Sequence, residues 1–280
     1  MPLANNGGVQ IHYESSGRGP AVLLIMGLAM AATGWWRTVP VLSKSFRVLA
    51  FDNRGIGSSE SSGSYSLREL AEDAVAVLEA AGEESAHVYG ISLGGMIAQE
   101  LALRHPERAR SLVLGATTVG GPSAPPADRA TLDFFRRAAS IDAEEAIWAS
   151  VPYTYAKFRR PEDVARIGED LARRLANPVD RSVYARQVGA GIGHDTSFRL
   201  DAIAVPTLVV HGEEDRVVPV KNARILAEAI PHGELKIWPG AGHLYTTDEP
   251  KADVHVARFL KRTKPRPLTE RLRAALPHVG

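Results

Sequence analysis

His87-Val88-Tyr89-Gly90-Ile91-Ser92-Leu93-Gly94-Gly95 is the stretch on which the fold turns. Its first half is a short β-branched and aromatic run of the kind that forms a buried strand. From Gly94 to Arg104 the apolar residues recur at helical spacing until His105-Pro106 closes the pattern. Between strand and helix lies Gly90-x-Ser92-x-Gly94, a turn so sharp that its serine takes a strained backbone conformation, and glycines on either side avoid collision. Such a turn stands the serine hydroxyl above the edge of a sheet.

Outward from this turn the same rhythm repeats. Upstream, Val9 to Tyr13, Ala21 to Met26 and Phe46 to Phe51 read as strands. Leu67, Leu70, Ala71, Ala74, Val77 and Leu78 mark a helix from Leu67 to Ala81, stopped by Gly82. Downstream, Ser111 to Leu114 is another strand, and strand-helix-strand is the order of a buried parallel sheet. Near Gly120 the run Gly-Gly-Pro-Ser-Ala-Pro-Pro breaks the rhythm, and roughly eighty residues follow without a strand signal. That segment carries Phe134, Phe135, Ile141, Trp148, Tyr153, Tyr155 and Phe158 among balanced charges, and reads as helical. Strand and helix signals then resume at Pro206 to Val210, Val220 to Ile230, Glu234 to Trp238 and about Pro250 to Leu260. The expectation is an α/β chain: a doubly wound, mostly parallel sheet over residues 1–119 and 204–262, a helical cap over 120–203, and a basic tail over 263–280.

The composition narrows the partners. The chain has 280 residues, 45% hydrophobic and 23% charged, which suits a soluble globular protein with a sizeable core and excludes global disorder. Lys and Arg number 33 against 32 for Asp and Glu, so there is no general electrostatic reason to bind nucleic acid or an anionic membrane. The absence of cysteine removes disulfides, thiolate metal sites and a cysteine nucleophile. No secretory leader is legible at the start, and the apolar stretch Ala21 to Ala32 is too short to span a bilayer, so a cytoplasmic protein is expected.

A serine hydroxyl is almost fully protonated at neutral pH and needs a base, with a carboxylate to orient that base. Two later segments follow strand signals: Gly212-Glu213-Glu214-Asp215 and Gly240-Ala241-Gly242-His243. The candidates are therefore Ser92 as nucleophile, His243 as base and an acid among Glu213, Glu214 and Asp215. No histidine pair has the spacing of a metal site, and acyl transfer by these groups calls for no cofactor.

With Ile11-His12-Tyr13-Glu14, Asp52-Asn53-Arg54-Gly55-Ile56-Gly57-Ser58-Ser59, Gly90-Ile91-Ser92-Leu93-Gly94-Gly95, Pro206-Thr207-Leu208-Val209-Val210-His211-Gly212 and Gly240-Ala241-Gly242-His243 in this order, the chain resembles α/β-hydrolases of the group containing enol-lactonases, carboxylesterases, cofactor-free haloperoxidases and polyketide methylesterases. The resemblance favours Asp215 as the acid, through its distance from Gly212 and the following Val217-Val218-Pro219. It implies an oxyanion hole from the backbone N–H groups of Leu28 and Leu93. Met26-Gly27 stands where family members usually have His-Gly.

Simpler readings hold for other features. Asp52 to Ser59 lacks the Gly-Lys-Ser/Thr of a phosphate loop and reads as a structural turn; Gly189, Gly191 and Gly193 follow no strand and do not read as a dinucleotide site. His194 is read as structural. Trp35, Trp36 and Trp148 are candidates for the substrate wall, with packing between core and cap as the competing reading. The functional expectation is a serine hydrolase acting on a small hydrophobic carboxylic ester or lactone. The alternatives are a cofactor-free perhydrolase or C–C bond hydrolase or lyase on the same scaffold, or a ligand receptor. Monomer and homodimer are both left open.

Overall fold

A strand covered on both faces reads as an unbroken apolar run, and Ala21-Val22-Leu23-Leu24-Ile25 is one, with all five residues buried. In the computed structural model, which describes residues 2–61, 63–156, 158 and 160–263, this run is β3 (Ala21–Ile25) inside an eight-stranded sheet. The other strands are β1 (Leu3–Asn6), β2 (Val9–Ser16), β4 (Arg47–Phe51), β5 (Ala86–Ile91), β6 (Ala109–Gly115), β7 (Thr207–Gly212) and β8 (Gly233–Trp238). Their spatial order is β1-β2-β4-β3-β5-β6-β7-β8. β1 and β2 run antiparallel to their neighbours, and every pairing from β4 to β8 is parallel. The chain leaves β3 for β4 on one side and returns to β5 on the other. The strand order thus reverses between β3 and β5, where a doubly wound sheet opens a crevice at its carboxyl edge.

The helices are α1 (Thr38–Leu42), α2 (Leu67–Ala80), α3 (Leu93–Arg104), α4 (Arg129–Ala138), α5 (Ala143–Thr154), α6 (Pro161–Leu175), α7 (Arg181–Ile192), α8 (Lys221–Ala229), α9 (Tyr245–Asp248) and α10 (Ala252–Arg262). Side chains alternate across the sheet and so divide the core in two. Leu23, Ile25, Leu49, Phe51 and Val88 pack with α2, α3 and α8, whereas Val22, Leu24, Val48, Ala50 and Tyr89 pack with α1 and α10. The doubly wound, mostly parallel sheet read from the sequence is the one found. α2 ends as its sequence suggests, because Gly82 takes φ +73° and Glu83 N donates to Leu78 O at 2.9 Å.

β1, α1 and the four-residue α9 escaped the sequence reading. β1 pairs with β2 through a tight turn at Gly7 (φ +59°) and Gly8 (φ +90°), a hairpin signal that the expectation of a first strand at Val9 passed over. α1 is only five residues long, too short to show a period.

α4 to α7 all lie between β6 and β7, where the described residues form no named strand and one isolated bridge, Gly120 to Asp195. Aspartates start three of these helices: Asp128, Asp142 and Asp180 accept from the N–H groups of Thr131, Glu144 and Ser182 at 2.7, 2.8 and 2.7 Å. The basic tail expected over 263–280 lies, apart from Thr263, outside the described residues. Among the described residues no helix is long and apolar enough to cross a membrane.

The Asp52 to Ser59 turn is structural, as read, and it anchors the loop after β3. Asp52 Oδ1 accepts from Ala32 N at 2.8 Å, and Asn53 Nδ2 donates to Met26 O at 2.9 Å. Arg54 pairs bidentately with Asp73, whose side chain is fully buried on α2. Removing one partner of a buried ion pair strands the other charge. Arg54→Met is therefore expected to lower the free energy of unfolding by about 3–5 kcal/mol in urea titrations; a loss below about 1 kcal/mol would contradict this account.

Candidate active site

Ser92 joins β5 to α3 with φ 55° and ψ −120°, a conformation that L-residues rarely adopt. Its neighbours explain why it holds. A Cβ on Gly90 would lie 2.1 Å from Gly94 O, and one on Gly94 would lie 2.0 Å from Ile25 O, so only glycine permits this approach of helix to strand. Ser92 N donates to Gly115 O at 2.8 Å, and Thr117 Oγ1 donates to Ser92 O at 2.8 Å. The strained residue is thus bonded on both sides.

Asp215 follows β7 and is buried, while Glu213 and Glu214 are exposed. Asp215 Oδ1 accepts from the N–H groups of Val217 and Val218 at 2.9 and 2.8 Å. Its Oδ2 lies 2.8 Å from His243 Nδ1 and 3.0 Å from His211 Nε2. Burial works to raise the carboxyl pKa, but His243, His211 and the bonds they donate outweigh it and hold it at about 2. With the carboxylate on Nδ1, that nitrogen carries the imidazole proton and Nε2 keeps a free lone pair. His211 also meets Val218 O at 2.8 Å, so it braces the acid loop from beneath, a role that no sequence motif announced.

The loop holding His243 is pinned in turn. Asp248 Oδ2 accepts from Gly242 N at 2.7 Å and from Ala156 N at 3.0 Å, and Leu244 N donates to Thr154 O at 2.9 Å. A Cβ on Gly212 would lie 2.1 Å from Gly242 O, so the acid and histidine loops touch through glycine.

Ser92 and His243 line one cavity of about 490 Å³ at the carboxyl edge of the sheet, together with Gly27, Leu28 and Leu93. A Cβ on Gly27 would sit 3.2 Å from Ser92 Cβ, so the loop after β3 passes directly against the serine. Leu93 opens α3, and its N–H has no carbonyl one turn earlier in the helix to bind. The structure therefore brings together five of the residues singled out from the sequence: Ser92, Asp215, His243, Leu28 and Leu93.

The three tryptophans lie elsewhere. Trp35 is buried beneath the site with its ring 4.8 Å from that of Tyr89. Trp36 donates to Asp170 at 2.9 Å and is sandwiched by Arg37 and Arg173 at 3.9 and 3.6 Å. Trp148 is 52% exposed. None lines the cavity, whose apolar wall is supplied by Leu132, Phe134, Phe135, Ile141, Ile147 and Met96. His194, read as structural, is buried outside that wall. Gln187 of α7 was missed: its Oε1 accepts from Ala29 N at 2.8 Å, fastening α7 to the loop after β3. Nothing in Arg-Ser-Val-Tyr-Ala-Arg-Gln distinguishes this glutamine from a surface one.

Known proteins resemble this chain along most of its length. A family model described as the alpha/beta hydrolase fold matches residues 20–250. RutD of Azorhizobium caulinodans, provisionally named a carbamate hydrolase, is 32% identical over 260 residues, covering 89% of this chain and 94% of that one. The 2-hydroxymuconate semialdehyde hydrolase of Pseudomonas sp. strain CF600 is 32% identical over 273 residues, covering 90% and 88%. Among solved structures, a hydrolase from Pseudomonas aeruginosa PA01 superposes with a TM-score of 0.79 at 29% identity, covering 92% of this chain and 97% of that one.

The glycine contacts make a direct prediction. Gly94→Ala forces its methyl into the Ile25 carbonyl, and urea unfolding should show a loss of about 1–3 kcal/mol or more; unchanged stability would refute the contact.

Proposed function

The chain belongs to the alpha/beta hydrolase family, and within it we propose a serine hydrolase that cleaves a small, partly hydrophobic carboxylic ester or lactone through an acyl-enzyme. The observation that carries this reading is the 2.8 Å contact between Asp215 and His243 Nδ1, with His243 and Ser92 facing one cavity. His243 Nε2 takes the proton of Ser92 Oγ as the oxygen attacks the substrate carbonyl. The N–H groups of Leu28 and Leu93 receive the oxyanion that develops. His243 then passes its proton to the departing alkoxide, and a water activated by the same nitrogen releases the acid. Asp215 remains a carboxylate throughout, keeps the Nδ1–H tautomer and offsets the charge of the imidazolium. No step calls for a metal or an organic cofactor.

In this reading residues 120–203 act as a cap over the catalytic edge of a core made by 1–119 and 204–262, and the cap residues form most of the substrate wall. A second reading has one observation in its favour: 32% identity to a protein named as a 2-hydroxymuconate semialdehyde hydrolase makes hydrolysis of a C–C bond by the same triad the runner-up.

A panel of chromogenic esters and lactones of graded acyl size tests the proposal. Ser92→Ala is expected to lower kcat by about a million-fold and Asp215→Asn by about ten-thousand-fold. Glu214→Gln is expected to stay within about two-fold of wild type, because an exposed carboxylate off the triad contributes little. Activity near wild type in Ser92→Ala would refute the mechanism.

A further inference from the structure

The loop after β3 carries one end of the proposed oxyanion hole, and both its flanks are tied to the core. Asn53 Nδ2 donates to Met26 O at 2.9 Å before it, and Asp52 Oδ1 accepts from Ala32 N at 2.8 Å after it. Between these anchors the backbone is strained. Ala29 takes φ 55°, a left-handed conformation that disfavours an L-residue about 5- to 30-fold against the right-handed one. Such a residue persists only where its surroundings hold it.

Gln187 of α7, 158 residues further along the chain, reaches this point, and its Oε1 accepts from Ala29 N at 2.8 Å. Gln187 is wholly buried. A backbone N–H only donates, so the amide oxygen faces the loop and the nitrogen turns away, where it meets no partner among the described residues. A half-satisfied amide in the interior costs more than the side chain of a methionine would, so packing does not account for a glutamine here. The packing falls to Val183, one turn earlier on the same face of α7, which is buried in a cluster with Ala31 and Ile56. What the glutamine adds is an acceptor for Ala29.

Resting on the hydrolase reading above, we propose that Gln187 is a positioning residue for the reaction: by holding Ala29 left-handed it fixes the direction in which Leu28 N–H meets the oxyanion. Downstream the chain is fixed at Ala32, so a relaxation of φ at Ala29 has to be taken up by the peptide plane before it. That plane shares the Cα of Leu28 with the plane that carries the donor N–H. Gly27 lies against Ser92, so the same shift moves the donor relative to the attacking oxygen. A misplacement of about 1 Å can cost about 100-fold in rate. The segment between β6 and β7 thereby sets part of the geometry of the oxyanion hole.

Hydrolysis of p-nitrophenyl butyrate by single and double variants tests this role. Gln187→Met, close in size but without the acceptor, is expected to lower kcat by about 10- to 100-fold with KM within about three-fold of wild type. Glycine adopts φ 55° without strain, so Ala29→Gly added to Gln187→Met should recover about five-fold or more. Added to Val183→Ala, which loosens α7 and leaves the bond in place, it should recover nothing. Wild-type protein gives a second readout that does not depend on a variant folding: the Ala29 N–H should exchange with deuterium about 100-fold or more below its free-chain rate. Gln187→Met within about two-fold of wild type in kcat, no recovery confined to the Gln187→Met background, or free exchange at Ala29 overturns the role of Gln187 while Ser92-dependent turnover leaves the hydrolase reading standing. Absence of Ser92-dependent turnover in the wild type overturns the hydrolase reading and this role together, so the two failures are told apart.

Discussion

The left-handed backbone at Ser92 is the constraint on which the rest of the molecule converges. It persists only because Gly90 and Gly94 let α3 approach β5 and β3 to distances that a methyl group would forbid. The hydrogen bonds from Ser92 N to Gly115 O and from Thr117 to Ser92 O then leave the turn no room to relax. A strained residue so over-determined places its hydroxyl at one point of the carboxyl edge, and every other part of the site is arranged toward that point. The sheet order supplies the space, since the reversal between β3 and β5 parts the loops on either side of it.

Around the serine, three loops are held by different chemistry. The loop after β3 is tied by side chains of the Asp52 to Ser59 turn below and by Gln187 from α7 above. The acid loop after β7 closes on itself through Asp215 and is braced by His211. The histidine loop is fixed by Asp248, which also holds Ala156 just after α5. All three loops therefore bond to the segment between β6 and β7, the acid loop through Arg216, which donates to Pro152 O at 3.2 Å and to Asp128 Oδ2 at 3.3 Å. That segment is coupled to the proposed machinery rather than laid passively over it.

The catalytic candidates were legible because they depend on backbone geometry that few sequences permit. Gly90-x-Ser92-x-Gly94 after an apolar strand encodes the turn, and Gly212 and Gly242 mark the contact between the acid and histidine loops. Asp215 was favoured over Glu213 and Glu214 only through the family resemblance, and its burial against their exposure is the physical difference between them. The cavity wall was legible only in part: Phe134, Phe135 and Ile141, which stood out in the segment without strand signals, line it, but the tryptophans do not. Trp35, Trp36 and Trp148 stand out by size, yet one fills the core, one is clamped between arginines and one faces solvent. What faces the cavity is decided by how α4 to α7 pack over the sheet. An arginine, tyrosine or glutamine in an amphipathic helix looks the same in sequence whether it meets water or an enclosed pocket.

The most direct measurement of the central claim is the site and stoichiometry of labelling by a fluorophosphonate, read by mass spectrometry of the digested protein alongside residual esterase activity. The account predicts one phosphonyl group per chain, carried on Ser92, with activity falling in proportion to labelling. Full activity in fully labelled protein, or a label carried on another residue while activity disappears, would contradict it.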